Sequence, residues 1–99
     1  MSFLVVVTYD LHQADSEDYQ CVKECLKKIG LLDTTANILG NEENKLPNTT
    51  AAGQFDGVDI KTVKEDMRSK ALACMKKCGV KGKLFITVSD DWTWGTNKF

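Results

Sequence analysis

The chain reads as an α+β domain with its elements in the order β-α-β-β-α-β, and three patterns predict it. The run Phe3-Leu4-Val5-Val6-Val7-Thr8-Tyr9-Asp10 is apolar and β-branched, the composition of a central strand buried on both faces. Two later stretches, opening near Asp15 and Asp59, carry apolar residues at helical spacing. Short runs of strand composition lie between and after them, bounded by turn-forming residues.

The first strand ends on Asp10, an acid held at a fixed point just before the polar stretch His12-Gln13-Ala14-Asp15. Asp15 or Ser16 opens the first helix, and Glu17 and Asp18 suit its N-terminal dipole. Tyr19, Val22, Leu26 and Ile29 form its apolar stripe, and Gly30 ends it. Leu31 to Leu39 mixes leucine, threonine and isoleucine and predicts a second strand. Gly40 to Asn48 is polar, holds the single proline and reads as a loop. Thr49 to Phe55 is a third strand closed by Asp56-Gly57.

The second helix runs from about Asp59 to Cys78, with Ile60, Val63, Met67, Ala71, Cys74 and Cys78 on one face and Gly79 as its cap. Lys83 to Ser89 alternates, placing Leu84, Ile86 and Val88 on one side of a fourth strand. Right-handed crossovers arrange this order as a four-stranded antiparallel sheet with two helices on one face. That is the ferredoxin-like fold, expected here as a single domain over residues 1–99. The helix-free face of such a sheet must be polar or covered. Since the first strand is apolar on both sides, a homodimer packed sheet to sheet is expected.

A chain of 99 residues buries roughly 65% of its unfolded surface, enough for one modest core without a staple. No apolar run approaches the ~20 residues of a membrane span, and the N-terminal run lacks a basic leader and a cleavage site. A cytoplasmic protein with no membrane association is therefore expected. The net charge of −1 gives no bulk attraction to nucleic acid, so polyanion binding needs a local patch or a metal ion. Lys76, Lys77, Lys81 and Lys83 cluster between the last helix and the last strand. They either complement a helix C-terminus or form a nucleic-acid patch. Arg68 is the single arginine, so bidentate phosphate grips are scarce.

Cys21 and Cys25 lie one turn apart on the first helix, Cys74 and Cys78 one turn apart on the second. A metal clip, interhelical disulfides and a redox pair all fit this spacing. It is not the C-x-x-C knuckle of structural zinc. Small mitochondrial intermembrane chaperones carry a similar twin motif, but as bare helical hairpins with a shorter gap and no strands. Cys74 and Cys78 fall on their helix's apolar stripe, so all four are expected to act mainly as reduced packing residues.

With this topology and Tyr9-Asp10 in place, the chain resembles the Cas-two family of small CRISPR adaptation subunits. It looks closer still to their stand-alone, SinR-like relatives, and more distantly like the virulence-associated D ribonucleases. The similar stretches are Val5 to Leu11, the helix with Tyr19, Leu26 and Gly30, Leu46 to Thr50, and Lys83 to Val88 with Asp91-Trp92. The resemblance implies a ferredoxin-like homodimer in which two Asp10 carboxylates face each other and hold one magnesium ion. It further implies weak cleavage of RNA or DNA, with the ion polarising a phosphodiester and activating water. The sequence departs from the family where His12 and Gln13 replace arginines, and where Thr34-Thr35-Ala36-Asn37-Ile38 replaces a Gln-x-Ser-Val-Phe element.

Asp10 is thus the candidate metal ligand and catalytic acid, or else a cap for the following turn. His12, the single histidine, is a candidate general base if it faces Asp10. Trp92 and Trp94 either stack bases or close the core edge or a dimer seam. Two function classes follow. One is a magnesium-dependent endonuclease centred on Asp10, with Lys76, Lys77, Lys81 and Lys83 steering the backbone. The other is a non-catalytic interaction module binding a protein or nucleic acid, which the missing arginines favour.

Overall fold

A computed structural model of the chain describes residues 2–37, 44–93, 95–97 and 99. The strand β1 (Ser2–Leu11) runs between β2 (Thr50–Asp56) and β3 (Gly82–Ser89), antiparallel to both. Val6 pairs with Ala52 on one side and Thr87 on the other. The central place follows from composition, because β1 has apolar residues to bury on each face. Phe3, Val5, Val7 and Tyr9 point to the helices, and Leu4 is buried on the opposite side.

The helices α1 (Ser16–Lys28) and α2 (Ile60–Lys77) cover the first of these faces. Asp15 caps α1 by accepting from the Asp18 amide at 3.0 Å, and Asp18 returns the bond to the Asp15 amide at 3.2 Å. Asp59 caps α2, accepting from the Thr62 amide at 2.8 Å and the Thr62 hydroxyl at 2.9 Å. Those bonds, the amide's first, hold its carboxyl below the usual range. Val22 and Leu26 of α1 meet Val63, Met67, Ala71 and Cys74 of α2 over β1. Full burial of a side chain such as Leu26 contributes about 1.5–3 kcal/mol relative to exposure. Ile60, expected on the buried stripe, is instead exposed at the first turn of α2.

Among the described residues the sheet has three strands, not the four expected. In the stretch from Leu31, only Leu32 pairs with β2, through a single antiparallel bridge to Ala52 with N···O distances of 3.0 and 2.8 Å. The chain then turns away: Thr34 bridges Lys45, and Thr35–Asn37 form a 3₁₀ turn. Two threonine hydroxyls explain the departure. Thr34 Oγ1 accepts from the Ala36 amide, and Thr35 Oγ1, in a residue only 2% exposed, accepts from the Asn44 amide at 2.9 Å. Side chains that bind nearby backbone amides offer the chain an alternative to a strand ladder. Ile38 and Leu39 of the expected strand, and 40–43 of the expected loop, lie outside the described residues.

The expectation of reduced, packing thiols is also overturned. Cys21 bonds Cys78 and Cys25 bonds Cys74, with Cα atoms 5.9 and 5.6 Å apart. The i, i+4 spacing on each helix sets two rungs one turn apart between antiparallel helices. The expectation of reduced thiols followed from the expected cytoplasmic location, and the two bridges do not fit it. No described helix is long and apolar enough to cross a membrane.

The outer rung joins residues 57 apart in sequence, a loop whose closure is worth about 4 kcal/mol by chain entropy. The inner rung is nested within it, so its closure adds less. Thiol titration of the unreduced, unfolded protein is expected to find no free cysteine. Replacing Cys25 and Cys74 together by alanine is expected to cost about 2–4 kcal/mol in urea unfolding. A negligible cost would mean that packing alone holds the helices together.

Candidate functional site

Strand alternation sends Thr8 and Asp10 to the helix-free face and Tyr9 to the core. Asp10 is exposed there and lies directly opposite Lys83 in the β1–β3 register, so the two side chains share a face. The next pair along is Thr8 with Phe85, and Phe85 is 65% exposed. Thr50 faces Thr8 from the other side. This end of β1 is held between two residues in left-handed conformation, Gln13 at φ 50° and Thr49 at φ 59°. The Thr49 carbonyl accepts from the Tyr9 amide at 3.0 Å, which fixes the strand just before Asp10. A β-branched residue in that region stores about 1–3 kcal/mol, so its neighbours must over-determine the conformation.

The other sequence candidates do not gather at Asp10. His12 is exposed, and its backbone amide donates to the Lys81 carbonyl at 2.7 Å, continuing the β1–β3 ladder by one step. Lys83 lies across from Asp10, and Lys81 stands exposed just before β3. Lys76 and Lys77 stand exposed in the last turn of α2, where they complement the helix dipole. Magnesium keeps several waters and is held through one or two carboxylates with further oxygen donors. Asp10 offers one carboxylate with a lysine across from it. Among the described residues, no three histidine, cysteine, aspartate or glutamate side chains stand close enough to hold a metal. A single copy of the chain does not fit the ion.

The helix-free face is partly covered by the chain itself. Leu46 and Trp92 pack on Leu4, Val6 and Ala52, so Trp92 closes this second small core. Trp94 lies outside the described residues. Gln54 Nε2 donates to Ser2 Oγ at the far end of the face. What stays open is the half toward Asp10, with Phe85 at its middle. The alternation of Leu84, Ile86 and Val88 already implied that Phe85 points away from the core.

Tyr9 carries a second feature that sequence reasoning missed. It is 5% exposed, and burial pushes its phenol pKa upward, with the Asp33 charge and then Tyr19 acting the same way. Asp33 stands 24 positions away, and no local pattern links the two. No family model, curated protein or solved structure matches this chain.

In the unfolded chain the Tyr9 phenol ionises near the ordinary value of 10.0, and in the fold it ionises higher. The folded state therefore binds more protons above that pH, and stability is expected to fall as pH rises past it. Urea midpoints measured on both sides of this pH should show the loss in the native chain and a smaller one in Tyr9→Phe. Equal loss in both would place the effect elsewhere.

Proposed function

We propose that this chain is a disulfide-stapled, non-catalytic binding module assembled as a homodimer through the helix-free face of its sheet. The observation that carries this reading is Phe85, a large aromatic 65% exposed in the middle of the open half of that face. Aromatic residues are enriched in interfaces, and a second copy on this face would take the ring out of water. Charge names the occupant. Asp10 and Lys83 lie side by side, and neither has an ion-pair partner within 4.0 Å among the described residues. A two-fold axis through the face sets each acid on the partner's lysine, the self-complementary pattern of an isologous contact. The interhelical disulfides suit an oxidising compartment rather than the cytoplasm.

A second reading, the endonuclease, is favoured by one fact: Asp10 is exposed on the same face. Two-fold association would bring two such carboxylates near one another. The readings separate by experiment. Phe85→Glu is expected to convert the dimer to a folded monomer in sedimentation, with both disulfides intact. Asp10→Lys should weaken the dimer, and adding Lys83→Asp should restore it. Labelled RNA and DNA with magnesium or manganese are expected to remain uncut. Metal-dependent cutting lost in Asp10→Asn would establish the nuclease instead, and a native monomer would end the dimer reading.

A further inference from the structure

A groove of about 440 Å³ lies between one side of α1 and the segments around 32–34 and Lys45. Lys23 and Lys27 reach it from α1, one helical turn apart, and Lys45 reaches it from the opposite wall. We propose that this groove binds a small phosphate-bearing organic molecule.

Convergence sets these cations apart: three lysines from two walls line one concavity. On α2, Lys64, Arg68 and Lys70 each lie within 4.0 Å of Glu65 or Asp66, so those cations are locally neutralised. Lys23, Lys27 and Lys45 have no such partner among the described residues. Glu24 is engaged by the Gln20 amide, whose Nε2 donates to it at 3.1 Å. Among the described lining residues three cations face two acids, Glu24 and Asp33, a positive excess in a concave site. Concave walls focus the field of like charges, and ammonium groups from two sides can grip one phosphate as point charges.

The lining favours an organic phosphate over a bare ion. Leu32 offers an apolar contact for carbon, and Asp33 is an acceptor for a hydroxyl or amino group of the ligand. A second depression continues along α1 past Tyr19 toward Ser16 and Asn48, sharing Gln20 and Lys23 with the first. A ligand longer than a phosphate group has room to extend there. The groove gives the binding module a ligand of its own, and it stands whether or not the sheet face pairs, because different residues carry the two.

The test is titration of the oxidised full chain with inorganic pyrophosphate, adenosine monophosphate and, as an uncharged control, adenosine, followed by amide chemical shifts in phosphate-free buffer. Saturable shifts at Lys23, Lys27, Asp33 and Lys45 are expected with both phosphates and not with adenosine. Lys27→Gln with Lys45→Gln should weaken both by about ten-fold or more, the loss of charge-assisted bonds, and the arginine versions should recover most of it. Asp33→Asn should weaken adenosine monophosphate while leaving pyrophosphate no weaker. Lys76→Gln with Lys77→Gln should change nothing. Absent or non-saturating shifts, or an equal loss from the Lys76 and Lys77 variant, would overturn the site and leave only diffuse attraction to lysine.

Discussion

Everything in this structure hangs on β1 being apolar on both faces. A strand of that kind is stable only at the centre of a sheet with cover above and below. The helices supply one cover, over Phe3, Val5, Val7 and Tyr9. Leu46 and Trp92 supply part of the other, over Leu4 and Val6. The cover stops short of the C-terminal end of β1. There the strand presents Thr8 and Asp10 beside Lys83 and Phe85, and the functional question begins at that edge.

The two disulfides do for the helix layer what β1 does for the sheet. A domain of this size has one modest core, to which the staples add. Two rungs between α1 and α2 remove much of the unfolded chain's freedom and fix the helices against the strand they cover. With that layer locked, its outer side can carry uncompensated lysines over a groove without loosening the core. The sheet face and the groove are then separate surfaces on one frame, the first proposed to meet a second copy and the second a small anion.

Much of the frame was legible in the sequence because the signals are local. Asp15 and Asp59 cap the helices, Gly30 follows α1 at φ +92°, and the Val22–Leu26 and Val63–Met67–Ala71–Cys74 stripes are buried as their spacing requires. What failed depended on bonding partners that composition and spacing do not name. Leu31 to Leu39 has strand composition, but Thr34 and Thr35 spend their hydroxyls on backbone amides and turn the chain after one bridge. Gly30 and Gly53 reinforce that limit, since a Cβ on Gly53 would run into the Gly30 carbonyl. The thiols misled for a similar reason. Cys21 lies off the main stripe of α1, and only the antiparallel crossing of α2 brings Cys78 to it. At the candidate site, strand alternation gave the facing of Asp10, but its pairing with Lys83 needed the register of two strands separated by a helix.

The central claim, that the open half of the sheet meets a second copy of itself, is tested most directly by an isotope-filtered nuclear Overhauser experiment on mixed labelled and unlabelled oxidised protein. Contacts between the Phe85 ring of one copy and Thr8 or Phe85 of another are the predicted result. A sample in which Phe85 shows only contacts within its own chain, at concentrations where the protein remains folded and monomeric, would contradict the account.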